Sequence, residues 1–95
     1  MAYFVYILFS EKDKKLYVGC TSNLERRVER HNSGLVTSTK NRAPLILIHS
    51  EKFESKADAF QRERFLKSLW GARFKHKVLQ EYLDKISHTL DMAKS

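Results

Sequence analysis

Residues Tyr3–Phe9, with the sequence YFVYILF, are the feature that most restricts how this chain can fold. All seven are apolar or aromatic, and side chains alternate between the two faces of a strand, so both faces of this strand must be covered. The segment is therefore predicted to be the central strand of a sheet. The chain has 95 residues, enough for one domain, which we expect to span residues 1–86, with a frayed tail at 87–95.

The remaining patterns predict short elements around this strand. Leu16–Cys20 fits a second strand joined to the first by a polar turn. Two capping-box patterns, Ser22-x-x-Glu25 and Ser55-x-x-Asp58, are each expected to open a helix. The predicted ranges are a helix from Ser22 to about Asn32 stopped by Gly34, a basic loop at 35–44, a strand at Leu45–His49 extending as far as Phe53, a helix reaching Trp70, and a helix at about Ala72–Ile86. This order, β-β-α-β-α-α, predicts an α+β fold with a small three-stranded antiparallel β-sheet flanked by helices.

The net charge and the single cysteine narrow the class of function. Eighteen Lys and Arg against eleven Asp and Glu give a formal charge of +7, which favours a polyanionic partner, although a solubilising surface would look the same. One cysteine, Cys20, excludes an intrachain disulfide and a multi-thiolate metal site, and fits a cytoplasmic location. No apolar run has the length of a membrane span, so no membrane partner is expected.

Glu63 breaks the pattern of its predicted helix. On a helical wheel it falls inside the apolar stripe that Ala59, Leu66 and Trp70 define. A carboxylate there is costly unless it meets a cation, a hydrogen-bond network or a metal ion. Both a structural ion pair and a functional site remain open from the wheel alone.

Further polar groups point toward the sheet. Arg27 and His31, one turn apart, lie beside the apolar stripe of the first helix, whereas Arg26 lies on the solvent side. If the hairpin pairs in register, Tyr6 and Tyr17 share a face of the sheet, and Gly19 leaves space beside Tyr17 for another group. Aromatic core packing would explain each tyrosine taken singly.

Several of these residues, in this order, resemble the motifs of the GIY-YIG nuclease family. Phe4 stands where the first motif has glycine, and valine replaces isoleucine in both motifs. The resemblance covers about Phe4 to Leu79 and is closest to the small stand-alone members, which are similar to the N-terminal nuclease domain found in bacterial excinuclease. The matching segments are Val5-Tyr6-Ile7-Leu8, Tyr17-Val18-Gly19, Cys20 to Asn32 with its Asn-Leu-x-x-Arg element and His31, Arg42-Ala43-Pro44, and Arg62-Glu63-Arg64 with Lys67.

The resemblance implies a metal-dependent DNA endonuclease of low sequence specificity, with a role in DNA repair or recombination. Tyr6 and Tyr17 match the motif tyrosines, Gly19 the second motif's glycine, and Arg27 the catalytic arginine. His31 matches an assisting histidine, and Glu63 matches the metal-binding glutamate. One carboxylate suits a single Mg²⁺ or Mn²⁺ ion that keeps most of its waters. Either tyrosine is a candidate for the general base.

The basic excess implies contacts to the backbone of duplex or branched DNA. A binding module without catalysis, or a subunit that needs a protein partner, remains an alternative, and the oligomeric state is open. The residues expected to bind nucleic acid are Lys40, Arg42, Arg64, Lys67, Arg73, Lys75 and Lys77.

Overall fold

A computed structural model shows an antiparallel sheet with helices on both faces. It describes residues 1–94 and the side-chain environments of residues 1–89. The strands are β1 (Tyr3–Ser10), β2 (Leu16–Thr21) and β3 (Leu45–Phe53), in the spatial order β2-β1-β3. The helices are α1 (Leu24–Asn32), α2 (Lys56–Lys67) and α3 (Ala72–Lys94), with short 3-10 turns at Thr37–Thr39 and Leu69–Gly71. The predicted α+β class and three-stranded antiparallel sheet are confirmed.

β1 is the doubly covered central strand that its composition predicts. Val5 and Ile7 are fully buried against the side that α2 and α3 cover, in a cluster that includes Leu66. Tyr6 and Leu8 are fully buried on the opposite side, where α1 packs. Burial of each such side chain stabilises the fold by about 1.5–3 kcal/mol relative to exposure, so β1 anchors both layers.

The first helix begins one residue later than predicted. Ser22 is exposed, and Asn23 is the N-cap, its side chain accepting a hydrogen bond from Arg26 N at 3.1 Å. Thr21 Oγ1 in turn accepts from Asn23 N, so β2 continues through Thr21 and displaces the cap. Asparagine and serine are equally good N-caps, so the sequence pattern could not distinguish Asn23 from the adjacent Ser22.

The predicted stop at Gly34 is confirmed. Gly34 has φ of 75°, Gly34 N–H donates to His31 O, and Leu35 N–H donates to Arg30 O, which together form a Schellman motif. The Asn32 side chain then accepts from Leu45 N at 2.7 Å and donates to Leu45 O at 2.9 Å. These two bonds tie the end of α1 to the start of β3, and they hold His31 over the sheet.

The second and third helices differ from their predicted ends. Ser55 caps α2 as predicted, but α2 ends at Lys67 rather than Trp70 because Ser68 is extended and its hydroxyl donates to Phe65 O at 2.6 Å. Trp70 is therefore 83% exposed, not part of the core. α3 continues from Ile86 to Lys94, because residues 87–94 contain no Gly or Pro; Ser95 lies outside the described residues. In residues 1–94 no helix is both long and apolar enough to cross a membrane.

Candidate active site

A chain of three buried polar side chains crosses the α1 face of the sheet. Tyr6 Oη lies 2.9 Å from His31 Nε2, and His31 Nδ1 lies 2.7 Å from Thr39 Oγ1. All three side chains are fully buried. Buried polar groups need partners, and here each supplies one for the next, so α1, β1 and the 35–44 loop are held in one arrangement.

Arg27 reaches the same chain from α1. Burial is the largest influence on the pKa of the Tyr6 hydroxyl and raises it, whereas the nearby guanidinium of Arg27 acts in the opposite direction and lowers it. The Nε atom of Arg27 is buried and has no hydrogen-bond partner among the described residues. An unpaired buried donor costs about 1–3 kcal/mol in an ordinary core, so this one marks a place where an acceptor can bind.

The direction of this hydrogen-bond chain depends on the tautomer of His31. A neutral imidazole has one N–H donor and one acceptor nitrogen, so it donates to one of Tyr6 Oη and Thr39 Oγ1 and accepts from the other. With either tautomer, the two hydroxyl groups satisfy both ring nitrogens of a neutral His31.

Burial opposes charge at both ends of the Tyr6–His31 bond. Burial raises the pKa of Tyr6 to about 12, with Tyr17 and Glu63 adding to the rise. Burial lowers the pKa of His31 to about 4, and the positive charge of Arg27 lowers it further. At neutral pH both groups are therefore uncharged.

His31 should make the protein less stable in mild acid. Its pKa is about 4 in the fold against 6.5 ordinarily, so the unfolded chain binds the proton first as pH falls. The stabilising contribution is full above pH 6.5 and declines toward pH 4, by about 2 kcal/mol at pH 4.5. Urea unfolding of the wild type and of His31→Gln, at pH 7.5 and at pH 4.5, measures this effect. The difference in free energy of unfolding between the two proteins should be smaller by that amount at pH 4.5. Parallel pH dependences would contradict this origin.

Tyr6 and Tyr17 share a face, as the register argument predicts. Tyr6 pairs with Gly19 and Leu8 with Tyr17, so the two tyrosines are diagonal neighbours with ring centroids 6.3 Å apart. The Tyr17 ring also lies 4.9 Å from the His31 ring and is only half-buried. A Cβ at Gly19 would overlap the Tyr6 hydroxyl and lie 3.0 Å from Tyr17 Cε1, so this glycine is what allows the two rings to approach.

Glu63 lies on α2, which packs on the side of the sheet opposite to α1. Its negative charge contributes to the raised pKa values of Tyr6 and Cys20, after the effect of burial. The side chain is 20% exposed and pairs with Lys67 Nζ at 3.1 Å. The apolar position seen on the wheel therefore carries a paired, partly solvated carboxylate.

The donor set around Glu63 suits a weakly held hard cation. In the part of the chain with described side chains, no group of three or more His, Cys, Asp or Glu is arranged to hold a metal ion. A lone carboxylate open to water matches the way Mg²⁺ binds, through one or two carboxylates and several retained waters. Glu63 is thus a carboxylate that could ligate a hydrated divalent ion, with water supplying the remaining ligands.

A basic cleft opens beside Arg27. It encloses about 460 Å³ at the N-terminus of α1. Backbone N–H groups at a helix N-terminus favour an anion, and arginines are its usual partners in proteins. The cleft is lined by Thr21, Ser22, Asn23, Arg26, Arg27 and Arg30. The sequence pattern did not single out Arg26 or Arg30.

The cations expected to bind nucleic acid divide into two groups. Arg42 pairs with Asp13 at 2.6 Å and lowers the pKa of that carboxyl to about 2, while Lys67 pairs with Glu63. These two are already engaged within the fold. The others are exposed or half-buried without an ion pair among the described residues: Lys40, Arg64, Arg73, Lys75 and Lys77.

Thr39 is a site residue that sequence reasoning missed. It lies in a segment of hydroxyl residues, Thr37–Thr39, inside a stretch that composition describes only as a polar loop. Nothing in its spacing distinguishes it from Thr37 or Ser38. Only the 3-10 turn, which buries Thr39 against His31, reveals its role.

Comparison with known proteins identifies the family of this chain. The family model described as the GIY-YIG catalytic domain matches residues 2–77, and the chain belongs to that family. Its members are generally endonucleases that use divalent metal ions. Among curated relatives, the chain is 44% identical over 80 residues to a UPF0213 protein of Natronomonas pharaonis, covering 83% of this chain and 93% of the relative.

Other relatives carry the same designation. A UPF0213 protein of Staphylococcus haemolyticus is 39% identical over 80 residues, covering 83% of this chain and 95% of the relative. The solution NMR structure of a UPF0213 protein from Bacillus halodurans is 34% identical, covers 84% of both chains, and gives a TM-score of 0.52. These are small members of the GIY-YIG family, and their names state no activity.

Proposed function

We propose that this protein is a DNA endonuclease that hydrolyses phosphodiester bonds with one divalent cation, Mg²⁺ or Mn²⁺, held by Glu63. The observation that carries the proposal is the unpaired, buried Nε of Arg27 beside the Tyr6–His31–Thr39 chain and a cleft lined by arginines. A binding module would gain nothing from an unsatisfied donor inside the fold, whereas a phosphate oxygen could accept from that donor as negative charge develops in the transition state.

Arg27 is the group that binds the scissile phosphate. A guanidinium donates to phosphate oxygens as a planar fork, and its charge stays fixed at any working pH. Because the site holds it without a partner at Nε, little reorganisation is needed when charge develops on the phosphoryl oxygens. The cation, when bound at Glu63, supplies charge stabilisation at the phosphate and the leaving oxygen.

Tyr17 is the better placed of the two tyrosines to take the proton from the attacking water. Water can reach Tyr17, which is half-buried, but not Tyr6, which is fully buried. Tyr6 also has its pKa raised to about 12 by burial, and its hydroxyl already bonds His31. Tyr6 and His31 thus orient Arg27 and the Tyr17 ring.

Residues 1–94 form a small sheet with flanking helices and no separate base-reading module, so we expect low sequence specificity. Backbone contacts from the exposed Lys and Arg would hold the DNA regardless of sequence. We infer a role in processing damaged or recombining DNA.

Cleavage assays test the proposal directly. Purified protein is incubated with supercoiled plasmid and with branched DNA in Mg²⁺, in Mn²⁺ and in EDTA. We expect nicking in either metal, none in EDTA, and at least a tenfold loss in Glu63→Gln, which keeps the shape of the side chain but removes its charge. Glu81→Gln, the same change at an exposed acid on α3, is the matched control and should retain activity. Nicking that persists in EDTA or in Glu63→Gln would contradict the metal site.

The alternatives predict other results. A binding module would hold DNA, and Glu63→Gln would bind it as well or better, with no cleavage to lose. A partner-dependent nuclease would cut only after addition of a protein that co-purifies with it from its native host.

A further inference from the structure

The turn between α2 and α3 exposes a large aromatic side chain. Trp70 is 83% exposed, although the helical wheel places it on the apolar stripe, and its neighbour Leu69 is 93% exposed. Trp70 borders a cleft of about 540 Å³. We call the surface formed by the residues that line this cleft the tryptophan platform. Its lining residues are Arg62, Phe65, Trp70, Arg73, Phe74 and Lys77. Trp70 shares this cleft with the exposed Phe65, and an exposed apolar patch rimmed by polar residues marks an interaction site.

The platform is rigidly held. Gly71, next to Trp70, is buried, and a Cβ on it would clash with the backbone of Phe65 and Leu66. The turn is also closed by Ser68 N–H donating to Phe65 O and by Gly71 N–H donating to Ser68 O, each at 3.1 Å. The backbone that carries the indole is therefore fixed by packing, so only the side-chain torsions of Trp70 are ordered when a ligand stacks on it.

The charges around the indole fit a nucleic acid better than a protein. Arg73 and Lys77 are exposed and have no ion pair among the residues whose side chains are described. The third cation, Arg62, is engaged, since it donates to both oxygens of Glu51 and lies 4.7 Å from the centre of the Phe74 ring. No carboxylate lines the cleft within the described part of the chain. An aromatic surface flanked by two free cations complements a base and its phosphates.

The exposed face of the indole selects unpaired bases. In a duplex the faces of the bases are covered by stacking, whereas a single-stranded base offers its π-face to an aromatic side chain. The platform also follows the helix that carries Glu63, because α2 ends at Lys67, four residues or about 6 Å beyond it. A strand bound at the platform can therefore continue along α2 toward the cleavage site.

We propose that Trp70 stacks an unpaired base of the DNA substrate while Arg73 and Lys77 bind the adjoining phosphates, so that the enzyme prefers DNA with a single-stranded segment near the cut. The substrate preference rests on the proposed nuclease function, whereas binding of a single strand at the platform can be tested whether or not the protein cleaves DNA. Binding is therefore measured in EDTA, where no cleavage occurs.

Trp70 is the only tryptophan, so its fluorescence reports the platform alone. The protein is titrated with a single-stranded 8-nucleotide oligomer and with a blunt duplex of the same sequence. We expect the single strand to quench the emission strongly and the duplex weakly. Anisotropy of a labelled oligomer should show about tenfold weaker binding in Trp70→Ala and less than threefold in Trp70→Phe, because phenylalanine still stacks.

Leu69→Ala is the matched control, since it removes an equally exposed aliphatic side chain from the same turn and should change affinity less than twofold. Equal quenching by duplex, or equal losses for single strand and duplex in Trp70→Ala, would overturn the proposal. Concentration-dependent dimers that Trp70→Ala abolishes, without quenching by DNA, would overturn it in favour of an interface between copies of this chain. Stacking by a protein that cuts no DNA would contradict the proposed function and leave the platform in place.

Discussion

Replacing Arg27 with methionine should reduce nicking by about 10²–10³-fold without lowering the free energy of unfolding. The loss is the size expected when a preorganised donor to a developing charge is removed. Stability should hold or rise because methionine keeps the packing of the aliphatic stem and removes a buried donor with no partner among the described residues. Nicking rates at saturating DNA, together with urea unfolding curves, measure the two effects.

The pKa of His31 gives an independent readout for the same variant. Arg27 is the second cause, after burial, of the low pKa of His31. In Arg27→Met the pKa should therefore move up from about 4 toward its ordinary value, which NMR titration of the imidazole can follow. If Arg27 were only structural, Arg27→Met would lower the free energy of unfolding and leave the kcat of the folded protein unchanged.

Arg26→Met is the matched control for Arg27→Met. Arg26 is adjacent to Arg27 in the sequence and lines the same basic cleft, but its side chain is exposed, whereas that of Arg27 is half-buried. Its loss should raise KM and leave kcat within about twofold, as expected for a phosphate contact made equally in the ground and transition states. If Arg27→Met retained more than a tenth of the wild-type rate, or failed to fold, the assignment of Arg27 would be wrong.

Gly19→Ala should damage both stability and cleavage, because an added methyl group has no room. Its Cβ would overlap the Tyr6 hydroxyl and crowd Tyr17. Overpacking of a buried site costs about 1–3 kcal/mol, and movement of Tyr6 would disturb its bond to His31 and its contact with Arg27. We expect at least a tenfold loss of nicking, measured under conditions in which the variant remains folded.

Gly34→Ala is the control for Gly19→Ala, because it shows the effect of replacing a glycine at a position where the added methyl group meets no neighbouring atom. Gly34 has φ of 75° with nothing within 4 Å of its would-be Cβ, so alanine there meets strain but no neighbour. It should cost about 1 kcal/mol of stability and leave nicking unchanged. A double-mutant cycle with Tyr6→Phe extends the test, since Gly19→Ala should cost less when the hydroxyl is gone. If the losses in free energy of unfolding from the two substitutions were additive, the methyl group of Gly19→Ala would not contact the Tyr6 hydroxyl.

Local patterns in the amino-acid sequence are enough to predict the layers of the fold and the direction of several site residues. An apolar run at Tyr3–Phe9 can only be a strand covered on both faces, and the single helical turn between Arg27 and His31 places both toward the sheet. Alternation along two paired strands likewise puts Tyr6 and Tyr17 on one face. These inferences succeed because they depend on local periodicity and on the cost of exposing apolar surface.

Which polar groups meet, and where a helix stops, depends on packing in three dimensions. Thr39 becomes the partner of His31 through a 3-10 turn 8 residues away, and no periodic pattern predicts that contact. Trp70 leaves the core because the Ser68 hydroxyl bonds Phe65 O and ends α2, an event that a helical wheel, which assumes an unbroken helix, cannot represent. Hydrogen bonds of this kind are short-ranged and directional, so they are settled only when the packed layers bring particular atoms together.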